Sequence, residues 1–396
     1  MDADLLDDVK LPQLSGRSEI EIYRMWRIYN ALLERKRRGD EVVNLLVGEP
    51  YFPPPRRAIA AAEAALRAGP IPYTEALGLR RLRQAIARYY GRRYGLDIAP
   101  ERIAVTVGSS SGFMLSFLAA FEAGQRVAVV EPSYPAYRGA LRAVNLEPYR
   151  LGTDAASGFR PNAAMIEALP ADIAGVVLAS PANPTGTMLR RDDLAALYAA
   201  CRRRGLWLIV DELYHGVTYG EAAETVLSQG PEAIVVNGFS KYWGMTGWRI
   251  GWLVLPERLV PRVEALSGSL QISAPTLSQI AAEAALDSDD EMSERVAVYA
   301  RNRARLLEAL PRLGLDRIAP ADGAFYLFCD VSAFTDDAEG FCRRMLDETG
   351  VVAAPGADFD TANGSHFVRF SFCVEPEVVD QAINRLSEWL PRQNRR

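Results

Sequence analysis

The sequence predicts an α/β protein, with a large domain on a three-layer, mostly parallel sheet and a smaller α+β domain after it. Three observations carry that expectation. Between residues 103 and 255, short apolar runs at 103–107, 127–130, 175–179, 206–210, 234–237 and 250–255 alternate with helical patterns such as 113–122 and 190–204. Strands that are apolar nearly throughout need cover on both faces, as in parallel sheets. After about residue 285 the alternation stops, which marks a second unit. The length, 396 residues with 49% hydrophobic and 24% charged, suits two or three domains with a core that needs no disulfides.

Taken in order, residues 1–15 read as an irregular arm. Ser18 and Glu21 form a capping-box pattern opening a helix that runs to about Arg38, with Ile22, Trp26 and Leu33 among its apolar positions. The basic run Arg35-Lys36-Arg37-Arg38 places cations at that helix's C-terminus. Gly39-Asp40 stops the helix, 42–47 reads as a short strand, and Gly48-Glu49-Pro50 with Pro53-Pro54-Pro55 is a stiff loop. Helices follow at 56–68 and 78–94, and then the six apolar strands. The last unit shows a long helix over 289–310, a strand at 325–329, a helix at 337–348, a strand at 366–372 and a final helix from about 376. The expected division is an arm (1–15), an N-terminal segment packing with the small domain (16–47), a large domain (48–285) and a small C-terminal domain (286–396).

Composition excludes several classes. A net charge of −5 gives no electrostatic footprint for nucleic acid. The start, Met1-Asp2-Ala3-Asp4, is acidic with no apolar run behind it, and no run approaches the roughly eighteen residues of a membrane span. Cys201, Cys329, Cys342 and Cys373 form no C-x-x-C pair, and two histidines exclude a multi-histidine metal site, so no metal is expected. A cytoplasmic protein is expected.

In a parallel sheet ligands bind at the carboxyl ends of the strands, so the loops there should carry the chemistry. Gly108-Ser109-Ser110-Ser111-Gly112 fits an anion cradle at a helix N-terminus. It also fits the G-x-S-x-G elbow of a serine hydrolase, with Ser110, Asp211 and His366 as a permitted triad. A simple Ser/Gly turn is the plainest reading. Asn183, in Asn183-Pro184-Thr185-Gly186, lies just beyond an apolar strand, within reach of a ligand. Asp211 ends another, where a carboxylate is costly without a partner; Tyr214 and His215 follow, and His215 reads as structural at least as readily as catalytic. Lys241 sits in a nearly charge-free loop of glycines, aromatics and hydroxyls, with Arg249 eight residues on. Such surroundings favour a neutral amine suited to Schiff-base chemistry.

Ser240-Lys241, Gly244, Gly247, Arg249 and Gly251 resemble the lysine signature of the class I/II aminotransferases, pyridoxal-phosphate enzymes of fold type I with the aspartate-aminotransferase architecture. Asn183-Pro184-x-Gly186 and Asp211-x-x-Tyr214 fall in the same order and spacing. The likeness runs from Gly48-Glu49-Pro50 through Tyr73-Thr74 and Gly78 to Phe367-Val368-Arg369-Phe370. It implies an enzyme moving the α-amino group of an L-amino acid to a 2-oxo acid through a Lys241 Schiff base with pyridoxal 5'-phosphate (PLP). Asp211 would face the pyridine nitrogen, Tyr214 and Asn183 the ring hydroxyl, and Tyr134 the ring face. Ser109, Ser110, Ser240 and Arg249 would hold the phosphate, with Tyr73 supplied by the neighbouring subunit of a homodimer. Gly48, Asn183 and Arg369 would bind the substrate α-carboxylate. Elimination, decarboxylation or oxidation on the same apparatus are alternatives. No second arginine is placed on a substrate side chain, so a dicarboxylic preference has no support. Tyr51, Tyr242 and Trp243 are candidate specificity positions, with packing the competing role.

Overall fold

The computed structural model describes residues 12–394, so most of the expected N-terminal arm lies outside the described residues. The strands are β1 (Val43–Asn44), β2 (Ile103–Thr106), β3 (Arg126–Glu131), β4 (Glu147–Gly152), β5 (Ile173–Ala179), β6 (Trp207–Asp211), β7 (Ile234–Gly238), β8 (Gly251–Val254), β9 (Tyr326–Asp330), β10 (Val351–Val352), β11 (Ala354–Pro355) and β12 (Phe367–Ser371). Seven of them form one sheet in the order β2-β8-β7-β6-β5-β3-β4. All its pairs are parallel except those of β8, which runs antiparallel to β2 and β7. The carboxyl ends of β5, β6 and β7 therefore share one edge with the start of β8: Ala179 pairs with Asp211, and Gly238 with Gly251.

Both faces are covered, as the apolar strands require. Ile209, Ile234, Val236 and Leu253 pack on one side with Phe113 and Phe117 of the helix Gly108–Ala120. Val176, Leu208, Val210 and Val235 pack on the other with Leu194 and Leu197 of the helix Arg191–Arg203. The sequence pattern does not mark β4, an edge strand whose residues are mostly half-buried. A strand that buries only part of its surface needs no continuous apolar run.

Two helix starts depart furthest from expectation. The helix expected over 113–122 begins at Gly108, so the Ser/Gly segment is its first turn rather than a loop. The helix expected from Ser18 spans Arg24–Arg37, preceded by a short 3-10 turn at Gly16–Ser18. The local capping box does not form; the Ser18 hydroxyl donates to the Ser15 carbonyl instead. The cap comes from Asp358, more than three hundred residues away in sequence, whose carboxylate accepts the Arg24 and Met25 N–H groups. The buried face of this helix is Ile28 and Leu32, while Ile22 and Trp26 are exposed.

Beyond the large sheet, β11, β12 and β9 form an antiparallel sheet, and β1 pairs in parallel with β10. The helix Arg24–Arg37 lies against Ala338–Thr349: Arg24 pairs with Glu339 at 3.4 Å, and Arg35 Nη1 donates to the Leu346 carbonyl at 2.7 Å. Among the described residues no helix is long and apolar enough to cross a membrane.

Candidate active site

A cavity of about 340 Å3 opens at the carboxyl edge of the large sheet. Gly48, Ser109, Ser110, Tyr134, Asn183, Asp211, Tyr214, Ser240, Lys241, Arg249 and Arg369 all line it. Chain segments more than three hundred residues apart in sequence therefore meet in one place. Tyr73 does not: it is 78% exposed, in a separate surface depression with Val107 and Ser273.

One end of the cavity is built for an anion. The helix Gly108–Ala120 points its N-terminus there, with its first N–H groups and the serine hydroxyls at the opening. Gly251 lets that terminus lie directly on β8. A Cβ at Gly251 would stand 2.9 Å from both Gly108 C and Ser109 N, and 2.8 Å from the Asn237 carbonyl oxygen. Arg249 adds a fixed charge; it holds a left-handed backbone at φ 49° and donates from Nη1 to the Thr246 carbonyl at 2.9 Å.

Lys241 and Asp211 lie deeper in the cavity. Lys241 follows β7 in a turn anchored by buried Phe239 and Trp243. Its Nζ donates to the Gly48 carbonyl at 2.8 Å. Burial lowers its pKa, because the neutral amine needs less solvation. Glycine is required at position 48, since any side chain there would run into the Tyr326 ring. Asp211 is 5% exposed and accepts from the Tyr137 hydroxyl and, at 3.0 Å, from the Leu213 N–H. Burial pushes its carboxyl up to about 6 despite those donors, so a cationic partner would hold it ionised.

Arg369 sits in the central strand of the small antiparallel sheet, 3% exposed. Its guanidinium lies between the rings of Tyr326 at 4.3 Å and Phe359 at 4.6 Å. Nη1 donates to Asn183 Oδ1 at 2.9 Å and Nη2 to the Leu46 carbonyl at 2.6 Å. Nε has no partner. An orphaned buried donor beside a cavity is what a carboxylate ligand would satisfy.

Sequence reasoning missed Tyr137, Tyr326, Thr246 and the apolar lining residues Met25, Val47, Phe113 and Met114. Tyr137 holds Asp211, and the Tyr326 hydroxyl lies 2.8 Å from that of Tyr214. No local pattern distinguishes a tyrosine in an apolar run whose hydroxyl faces a site. Tyr51, Tyr242 and Trp243 do not line the cavity: Tyr51 packs on Phe52 and Trp243 on Phe239, with ring centroids 4.0 and 4.8 Å apart.

The hydrolase triad does not assemble. His366 is exposed and lies outside the cavity that Ser110 and Asp211 line. His215 is buried behind the site, where it accepts at Nδ1 from the Tyr94 hydroxyl at 2.6 Å and donates from Nε2 to the Ser180 carbonyl at 3.0 Å. Burial holds it neutral, with a pKa down at about 3. Neighbouring Glu212, which accepts from the Thr225 hydroxyl and the Val226 N–H, is pushed up to about 8 by burial.

A mostly parallel sheet with an anion cradle, a half-buried lysine and a buried carboxylate at its carboxyl edge defines a class of cofactor-using α/β enzymes. Residues 40–386 match the family model for aminotransferase class I and II, and the chain belongs to that family. It is an aminotransferase of fold type I. It is 44% identical to the valine–pyruvate aminotransferase of Mycobacterium tuberculosis, over 95% of this chain and 98% of that protein. It is 32% identical to an aspartate aminotransferase of Thermotoga maritima, over 94% and 98% of the two chains. A crystal structure of an aminotransferase from Mycobacterium tuberculosis superimposes with a TM-score of 0.94 at 43% identity, covering 97% of this chain and all of that one.

Proposed function

We propose that the protein transfers the α-amino group of an apolar L-amino acid to a small 2-oxo acid such as pyruvate, with PLP bound at Lys241. The carrying observation is the convergence of Lys241, Asp211 and the half-satisfied Arg369 on one cavity. The cavity fits the cofactor. It has an anion end at Ser109, Ser110, Ser240 and Arg249, a buried carboxylate for a ring cation at Asp211, and polar groups at Asn183 and Tyr214 for a ring hydroxyl. Tyr134 stands at its mouth for the ring face.

When bound, PLP supplies the electron sink that makes loss of a Cα proton feasible. The rest falls to the chain. Asp211, with its acceptor oxygens fixed by Tyr137 and Leu213, favours a protonated ring nitrogen. Lys241 Nζ, with its lowered pKa, takes the proton from the substrate Cα and returns one to complete the exchange. Arg369 and Asn183 orient the α-carboxylate, and the Gly48 carbonyl positions Nζ.

Two features support an apolar substrate. Among the described residues lining the cavity, the only cations are Lys241, Arg249 and Arg369, all assigned above, so none is left for a second carboxylate. Met25, Val47, Phe113, Met114 and Leu213 supply apolar wall beside the hydroxyls of Tyr137, Thr246 and Tyr326. The valine–pyruvate activity in the name of the Mycobacterium relative points the same way. We further propose a homodimer in which Tyr73, exposed as Ile71 and Ile272 also are, reaches the neighbouring subunit's anion end. The proposed division has residues 48–285 as the large domain and 286–396 as the small one, with 16–47 packed on the latter. The four free, buried cysteines support a reducing, cytoplasmic location.

The purified protein should be yellow, and borohydride should fix one cofactor mass to the peptide carrying Lys241. Lys241→Ala should abolish turnover. Valine and alanine should bleach the cofactor absorbance faster than aspartate does; the reverse order would refute the apolar reading.

A further inference from the structure

The helix Arg24–Arg37 starts without a cap of its own, since Tyr23 at its N-cap provides no side-chain acceptor. Both oxygens of Asp358 fill that role, Oδ1 at 2.8 Å from the Arg24 N–H and Oδ2 at 2.7 Å from the Met25 N–H. Asp358 is 6% exposed and is itself fixed: its carbonyl accepts from Arg138 Nη2 at 2.6 Å. Arg138 in turn donates from Nη1 to Glu131, the last residue of β3, at 2.7 Å. The strap before the helix lies on Gly139 of the same helix as Arg138. A Cβ there would stand 3.2 Å from Ile20 Cγ2 and 3.4 Å from the Tyr23 hydroxyl, so glycine allows the close approach.

This chain of bonds runs from the edge of the large sheet to the backbone of Met25, whose side chain walls the cavity. Methionine has three soft side-chain torsions and does not fix its own place. Its backbone N–H, held by a buried carboxylate, does.

We propose that Asp358 is a positioning residue for substrate selection: by clamping the start of the helix Arg24–Arg37 it holds Met25 as the wall against which an apolar substrate side chain packs. The proposal rests on the apolar-substrate reading above and adds the element that enforces it.

The test uses holoenzyme and single-turnover bleaching of the cofactor by alanine and by valine, read as the ratio of the two rates. Asp358→Ala and Met25→Ala should each lower the valine rate about tenfold more than the alanine rate, the worth of contacts to two methyl groups. The double variant should be no worse than Met25→Ala alone, since both changes remove one wall. Asp358→Asn, which keeps one acceptor, should recover about half of the loss on a logarithmic scale. Amide exchange at Met25 should speed up in Asp358→Ala. Equal losses for both amino acids, or losses that multiply in the double variant, would overturn the selection role. Unchanged Met25 protection in Asp358→Ala would overturn the clamp. A wild type that converts aspartate faster than valine removes the apolar reading and the selection role with it, while the exchange result still judges the clamp.

Discussion

Arg369→Lys is the sharpest test of how the substrate is held. A guanidinium has five N–H donors, and two of them are taken by Asn183 Oδ1 and the Leu46 carbonyl, which leaves three, Nε among them, for a carboxylate. A lysine at that depth keeps the charge but cannot serve Asn183, Leu46 and a carboxylate together. Each charge-assisted bond is worth about 1.5–3 kcal/mol, so losing the two-point grip costs roughly 3–6 kcal/mol in transition-state binding. That is a fall in kcat/KM of about 10²- to 10⁴-fold. The assay is the half-reaction with alanine, run beside the same reaction with ethylamine, which has no carboxylate. The alanine rate should fall by that factor while the ethylamine rate stays within about threefold. A variant that lowers both rates equally, with unchanged cofactor absorbance, would refute the assignment of Arg369 to the carboxylate.

Three further outcomes follow from the same geometry. Gly251→Ala would push a methyl into the backbone of Gly108 and Ser109 and move the anion end; PLP affinity should fall by roughly tenfold or more in a titration, at about 1–3 kcal/mol of strain. An unchanged affinity would mean that this packing does not set the anion end. His215 has its pKa lowered to about 3 in the fold, so its stabilising contribution is complete above about 6.5 and is lost as pH falls toward 3. The stability advantage of wild type over His215→Gln in urea melts should therefore shrink by about 1.4 kcal/mol per pH unit below 6.5; a pH-independent difference would refute burial as the cause. Mixing the inactive Tyr73→Ala and Lys241→Ala proteins should restore turnover, because the mixed dimer holds one site with both residues; no recovery, or a monomer by light scattering, would refute the role of Tyr73 across subunits.

Much of this was legible from local pattern. The strands of the sheet core announce themselves because residues such as Val176, Ile209 and Val236 are buried on either face and cannot be polar. The site residues at their ends stand out for the opposite reason: Asp211 and Lys241 are charges where apolar text should continue. What stayed hidden depends on partners distant in the chain. Ser18 and Glu21 spell a helix start, yet the helix begins at Arg24 because a carboxylate at position 358 takes its first N–H groups. A capping box is worth about 1 kcal/mol, and a buried acceptor for two N–H groups outweighs it. Tyr137 and Tyr326 read as core aromatics, and only the folded chain shows one hydroxyl on Asp211 and the other against Tyr214. The sequence by itself determined the core strands of the sheet and the family and marked the candidate groups for chemistry, because burial and buried charge leave marks at the residue where they occur. The tertiary structure alone decided which donors remain free on Arg369, what clamps Met25, and which apolar side chains wall the cavity. Those are properties of pairs, and a pair far apart in sequence leaves no mark on either residue alone.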